Sequence, residues 1–326
     1  MKLSKTLITK ISEAYGLGKV KQIKLIEGGN ISHNFIFKTS NGDFIVRVLG
    51  YKLSNPYWAR QKKLQYLVIE FLIKNKFPYE VAHFIKDKKG ECITKISGNL
   101  IEVYPRLKGR TIKRLQVKHV REMAKALAFL HKTIAKMQKH KEFLKNESHK
   151  WLAKELQDMK KLEPRTEVDK YMLNHLDTFI ESLEKGLKHK QTKNPIVCHQ
   201  DFHPSNVLFN KSRLTGILDF ENVGYGPRIN DFFLNIFDLK QSILFIREYQ
   251  KYNKIPKSEI MNLVNNKLLG NCHGFRWAYR GRMKNEKKRL EMLKFMVKKY
   301  NKYIELEALL KKKKSSKPLK TKETSH

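Results

Sequence analysis

The segments VCHQDFHPSNVLFN (197–210) and GILDFENVGYG (216–226) decide the reading of this chain. Three apolar runs, Ile196–Cys198, Val207–Phe209 and Leu214–Leu218, read as short strands punctuated by polar residues. His199, Asp201 and Asn206 fall between the first two runs, while Asp219 and Glu221 follow the third. Any one Asp or Asn at a strand end is an ordinary turn residue. Together they supply what phosphoryl transfer requires: a carboxylate to accept the proton of the attacking hydroxyl, and an amide plus a carboxylate to hold magnesium against phosphates. Asp201 is the candidate for the first task, Asn206 and Asp219 for the second.

Upstream, residues 3–15 carry apolar residues at helical spacing, and Ile23–Glu27, His33–Lys38 and Asp43–Leu49 read as strands separated by Gly28-Gly29-Asn30 and Ser40-Asn41-Gly42. Leu64, Leu67, Val68, Phe71 and Leu72 form the stripe of an amphipathic helix. Glu91–Ile96 and Leu100–Tyr104, joined by Ser97-Gly98-Asn99, complete an antiparallel five-stranded sheet with one helix. From Arg110 onward helical periods dominate, as in Val120, Met123, Leu127, Leu130 and Ile134. The expected class is therefore α+β, with an N-terminal antiparallel sheet lobe and a mainly helical C-terminal lobe.

The 326 residues suffice for two cores, and 40% hydrophobic content excludes wholesale disorder. Lys and Arg number 68 against 31 Asp and Glu, a net charge of +37 that favours anionic partners. Three widely spaced cysteines, Cys92, Cys198 and Cys272, suggest neither a disulfide framework nor a zinc site. No apolar leader and no run of eighteen apolar residues is present, so the expectation is a cytoplasmic protein without a membrane span. Lysine-rich residues at the C-terminal end read as a disordered basic tail able to touch nucleic acid or another anionic surface.

H-x-D-x-x-x-x-N followed by a strand ending in I-x-D-x-E resembles the catalytic core of the aminoglycoside phosphotransferase and choline kinase superfamily, small-molecule kinases with a protein-kinase-like fold. The resemblance implies a bilobal molecule that uses ATP and Mg2+, with Asp201 as catalytic base, Asn206 and Asp219 as metal ligands, and His199 as a structural neighbour. Gly28, Gly29 and Asn30 would cover the phosphates, and Arg47 would contact them. Main-chain groups of Glu102 to Tyr104 would bond the adenine edge. The implied divisions are a nucleotide-binding lobe (1–103), a hinge (104–109), a catalytic and acceptor-binding lobe (110–305) and the tail (306–326). Glu221 and Asp231 occupy positions that are often acidic in the family, and His131 matches a structural histidine.

One feature departs from the family. A helix carboxylate usually pairs with the strand cation, yet residues 44–69 contain no Asp or Glu. Gln65 is the nearest candidate partner for Arg47, and Glu70 the only acid on that helix. The expected activity is phosphorylation of a small-molecule alcohol resembling choline, homoserine or a sugar. The alternative is a weak or inactive kinase-fold protein that binds nucleotide and an anionic partner such as RNA. Residues 222–305 hold 18 Lys and Arg against 7 Asp and Glu, the wrong sign for a polycationic aminoglycoside. Phe275, Trp277 and Tyr279 are candidates for an aromatic cage around choline, with a core role the commoner fate of such residues.

Overall fold

The computed structural model describes residues 3–26, 32–144, 149–187, 194–280 and 285–312. In chain order the main elements are α1 (Lys5–Tyr15), β1 (Val20–Ile26), β2 (His33–Thr39), β3 (Asp43–Val48), α2 (Pro56–Lys74), β4 (Glu80–Val81), β5 (Ile93–Ile96), β6 (Asn99–Pro105), α3 (Val117–Ile134), α4 (Lys150–Met159), α5 (Glu167–Leu187), β7 (Ile196–Cys198), β8 (Val207–Asn210), β9 (Arg213–Ile217), α6 (Leu239–Tyr252), α7 (Lys257–Arg280) and α8 (Glu286–Lys312). They gather into two compact units. One comprises Met1–Leu144, Ile196–Tyr225 and Leu244–Asn253, the other Lys145–Pro195, Gly226–Ile243 and Lys254–His326.

In the first unit the five strands expected from the sequence form one antiparallel sheet in the order β1-β2-β3-β6-β5. Side chains alternate across it. Phe35, Phe37, Val46, Val48, Ile101 and Val103 turn to one face and pack with Leu7, Ile11 and Tyr15 of α1. That helix is set by Ser4, whose Oγ accepts the Leu7 N–H, and by Gly16, which ends it at a φ of 63°. Asn34, Ile36, Ile45, Arg47, Glu102 and Tyr104 share the opposite face by the same alternation. The α2 stripe buries Leu64, Val68 and Leu72 as its spacing predicts, but Lys62 and Gln65 are buried as well. α3 buries its expected apolar positions. The β8–β9 hairpin follows Asn206 and leads into Asp219, with β4 added in parallel to β9.

Gly109 sits between β6 and α3 with a φ of +123°, and a Cβ there would lie 3.0 Å from Leu208 Cβ and 3.2 Å from the Phe209 carbonyl oxygen. Only glycine meets both demands without strain.

The second unit is helical, with a core that includes Leu152, Leu156, Met172 and Leu293. Phe179 and Phe275 stack there at 3.8 Å between ring centroids. Phe275 thus has the core role that is the commoner fate of such residues. Tyr279 is also occupied: its hydroxyl donates to Asp169 at 2.9 Å, and Arg289 lies over its ring. Trp277 is exposed. Residues 306–312, expected in the tail, are helical: α8 continues to Lys312 and buries Tyr303 and Leu306, with Lys311 paired to Glu307. Residues 313–326 lie outside those described. No described helix is long and apolar enough to cross a membrane, and none of the three cysteines forms a disulfide among the described residues.

Candidate active site

Asp201 follows Gln200, which holds a φ of 62°, and Asp219 itself has a φ of 57°. Such left-handed backbone costs about 1 kcal/mol or more at a non-glycine residue and persists only where neighbours impose it. Here the neighbours are the two segments that carry the candidate residues. The Leu218 N–H donates to the Asn206 carbonyl at 2.8 Å, and His199 Nε2 lies 2.8 Å from the Leu218 carbonyl. The Asp201 N–H donates to His199 Nδ1, which leaves the ring proton on Nε2 for Leu218. His199 is fully buried. It thus ties the residue before Asp219 to the residue before Gln200, the structural part expected of it.

Asn206 Nδ2 donates to both the main-chain oxygen and the Oδ2 of Asp201, each at 3.0 Å. These bonds use the amide nitrogen and leave Oδ1, the atom that a hard cation prefers, uncommitted by them. His203 Nδ1 accepts the Ser205 N–H, so its Nε2 carries the proton facing Asp201 Oδ1 at 3.3 Å. Burial pushes the Asp201 pKa up, but the bond from His203, the electrostatic influence of the two histidine rings and the bond from Asn206 outweigh it and hold the pKa below its ordinary value. Asp201 is ionised at neutral pH and retains some solvent access.

Arg47, on the sheet face opposite α1, meets two carboxylates. Its Nη2 bonds Glu221 Oε2, and its Nη1 lies 3.7 Å from Glu102 Oε1. Burial lowers the guanidinium pKa, and Glu102 and Glu221 more than restore it. Tyr51 Oη adds a bond to Glu221 Oε1 at 3.0 Å. Glu102 is fully buried and accepts from Lys62 Nζ at 2.8 and 3.0 Å, while the same ammonium donates to Gln65 Oε1 at 3.0 Å. Gln65 therefore serves Lys62 and is not the partner of Arg47, and Glu70 is exposed. The missing carboxylate comes from a strand and from the segment after β9. Glu102, an acid among the apolar residues of β6, marked a buried charge in the sequence, although its partner is set by strand register.

The strand register also revises the adenine edge. Bonds from the Arg106 N–H to the Asp43 carbonyl and from the Leu49 N–H to the Leu100 carbonyl bracket the β3–β6 ladder. By antiparallel alternation, the main-chain groups of Glu102 and Tyr104 point to β3. The Val103 carbonyl, on the other side, accepts the Ile85 N–H at 2.8 Å. The Val103 carbonyl and, by register, the main-chain groups of Glu102 and Tyr104 are thus engaged within the protein. Gly28, Gly29 and Asn30 lie outside the described residues. Asp231 belongs to the second unit and is buried.

A family model described as a phosphotransferase enzyme family matches residues 22–258. Homoserine kinase from Pseudomonas aeruginosa is 23% identical over 227 residues, which are 69% of this chain and 66% of that protein, slightly under two thirds of its length. Among solved structures, a spectinomycin phosphotransferase in complex with ADP and spectinomycin superposes with a TM-score of 0.71 at 16% identity, covering 95% of this chain and 99% of the other. A microcompartment-associated aminopropanol kinase gives 0.66 at 13% identity, covering 93% and 99%. These structures share the fold, the family match spans both segments that carry Asp201, Asn206 and Asp219, and the chain accordingly belongs to this phosphotransferase family.

Proposed function

We propose that the protein is an ATP- and magnesium-dependent kinase of a small zwitterionic or neutral alcohol, with Asp201 as catalytic base. The observation that carries this reading is the clamp in which Asn206 holds the Asp201 carboxylate while its own Oδ1 is left for a cation. Asn206 Oδ1 and the Asp219 carboxylate would hold Mg2+, an oxygen-donor set of the kind that ion takes. When bound, the metal supplies charge neutralisation to the phosphates. Asp201, ionised and partly open to solvent, accepts the acceptor hydroxyl's proton.

The nucleotide would lie against the sheet face bearing Ile36, Ile45 and Arg47. A cavity of about 290 Å3 opens there, lined by Gln22, Lys24, Ile36, Lys38 and Arg106. Arg47 suits phosphates because its Nε is buried without a partner among the described residues. With Glu102 and Tyr104 committed to β3, the Pro105 carbonyl falls on the side of β6 away from β3 by the same alternation, and it is the proposed main-chain contact to the base.

For the acceptor, the homoserine kinase relative and the excess of Lys and Arg in residues 222–305 favour an amino alcohol such as homoserine over a polycation. The occupied state of Phe275 and Tyr279 argues against a choline cage at those residues. A turnover screen with Mg-ATP against homoserine, aminopropanol, ethanolamine, choline, sugars and spectinomycin tests the reading. Phosphorylation of an amino alcohol supports it, turnover of spectinomycin alone overturns the acceptor class, and absence of Mg-ATP binding overturns the kinase assignment.

A further inference from the structure

The buried network around Arg47 contains two cations and two anions. Glu102, with no exposed surface, stands between Lys62 and Arg47, while Glu221 takes the other end of the guanidinium. A fully buried carboxylate is tolerable only when paired and hydrogen-bonded. Lys62 meets both conditions with two bonds to the two Glu102 oxygens, whereas Arg47 stands 3.7 Å from one of them, beyond an ordinary hydrogen bond. Glu102 would therefore remain neutralised if Arg47 moved its donors to a phosphate.

The adjacent residue on the same helix acts on the other acid. Gln61 Nε2 donates to the Glu221 carbonyl at 2.8 Å and to the Val223 carbonyl at 2.6 Å. Gln65, one turn along α2, fixes Lys62. Thus α2 governs Arg47 through a lysine and two amides, with the acid on the strand and the cation on the helix.

We propose that Lys62 is a positioning residue for nucleotide phosphates: by holding Glu102 oriented on β6, it aims the Arg47 guanidinium, doing from the helix with a cation what a helix carboxylate would do directly. This inference rests on the reading that Arg47 addresses those phosphates. It places no chemistry on Lys62, whose ammonium reaches Arg47 only through Glu102.

The test is titration calorimetry of the full chain with Mg-ATP and with adenosine, for wild type, Lys62→Met, Lys62→Arg, Glu102→Gln and the double variant Lys62→Met/Glu102→Gln. Lys62→Met and Glu102→Gln should each weaken Mg-ATP by about ten- to a hundredfold, the range of one charge-assisted hydrogen bond, and leave adenosine affinity unchanged. Lys62→Arg should restore most of the loss. The double variant leaves no unpaired buried charge, so it keeps the test alive if Lys62→Met fails to fold, and it should bind Mg-ATP no more weakly than Glu102→Gln alone. Equal losses for adenosine and ATP would assign Lys62 a merely structural role and overturn the proposal, as would wild-type ATP affinity in the double variant. If wild type itself fails to bind Mg-ATP, the nucleotide reading falls instead.

Discussion

Asn206 Nδ2 lies 3.0 Å from Asp201 Oδ2, so the amide proposed to face the metal also fixes the carboxylate proposed to accept the proton. The two tasks are mechanically joined but chemically separate, and substitution can part them. Asp201→Asn removes the proton acceptor without touching the groups proposed to bind nucleotide. Turnover should fall by about two to four orders of magnitude, while Mg-ATP affinity stays within a few-fold of wild type. Steady-state kinetics beside calorimetry reads both, and a parallel loss of ATP affinity would remove Asp201 from the role of base.

Asp219→Asn should show the opposite pattern. Its left-handed backbone is imposed by Leu218, which is held at both its N–H and its carbonyl, so an isosteric asparagine keeps the fold. What it lacks is the negative charge for Mg2+. Binding of ATP with magnesium should drop to the level seen with EDTA, with adenosine binding unchanged. An undiminished magnesium effect would exclude Asp219 as a ligand.

The five-stranded sheet, the two segments that carry the candidate residues and the helices α1 and α3 were legible because their apolar period and turn residues act locally. Val120, Met123 and Leu127 are buried as the stripe on α3 dictates. Partnership of Arg47 was not legible, because it is settled by register: Glu102 is opposite Arg47 only once β3 pairs β6, and Glu221 arrives from 174 residues away. Nothing in the period of α2 announced that Lys62 would be inside, since a lysine is ordinarily solvated and is buried here only because that acid is waiting. The expected tail boundary at 306 falls inside α8 for a related reason. Its lysines outweigh a sparse apolar stripe, of which Tyr303 and Leu306 are nonetheless buried.

Gly109→Ala should destabilise the first unit by about 1–3 kcal/mol. The strain at a φ of +123° adds to the close approach of Leu208, Thr215 and the Phe209 carbonyl, of which the last cannot swing aside. Urea denaturation followed by circular dichroism provides the measurement. Gly90→Ala, also at positive φ but with open space around its Cβ, should cost less. Equal costs would mean that backbone conformation alone matters at Gly109.

Asp87 gives a pH-dependent contribution. Its Oδ1 accepts the Lys89 and Glu91 N–H groups at 2.8 and 2.9 Å, and its Oδ2 accepts the Thr94 hydroxyl at 2.8 Å. Desolvation raises its pKa, but these bonds lower it below the ordinary value overall. A depressed folded-state pKa stabilises above the unfolded value, near 3.9, and this stabilisation is lost as pH falls through the folded value. The difference in urea midpoint between wild type and Asp87→Asn should therefore be full at pH 7 and shrink progressively below pH 4. A difference independent of pH would show that the turn depends on oxygen geometry and not on charge.

The last prediction concerns Gln65, the position where a helix carboxylate was expected. Gln65→Glu does not create a partner for Arg47, because the side chain at this position faces Lys62. It adds a second acid to an ammonium already shared with Glu102, in surroundings where Gln65 is only 3% exposed. The balanced set of Lys62, Arg47, Glu102 and Glu221 then carries one excess negative charge, which costs stability when water cannot screen it. The variant should melt below wild type at pH 7, with the deficit narrowing on acidification as the new carboxyl takes up a proton. Its Mg-ATP affinity should fall or stay level, since Glu102 now competes for Lys62. Glu70→Gln, at an exposed position, should change neither property. Calorimetric melts from pH 5 to pH 8, with ATP titrations at each end, measure both effects, and tighter ATP binding by Gln65→Glu would mean that the helix carboxylate reaches Arg47 after all.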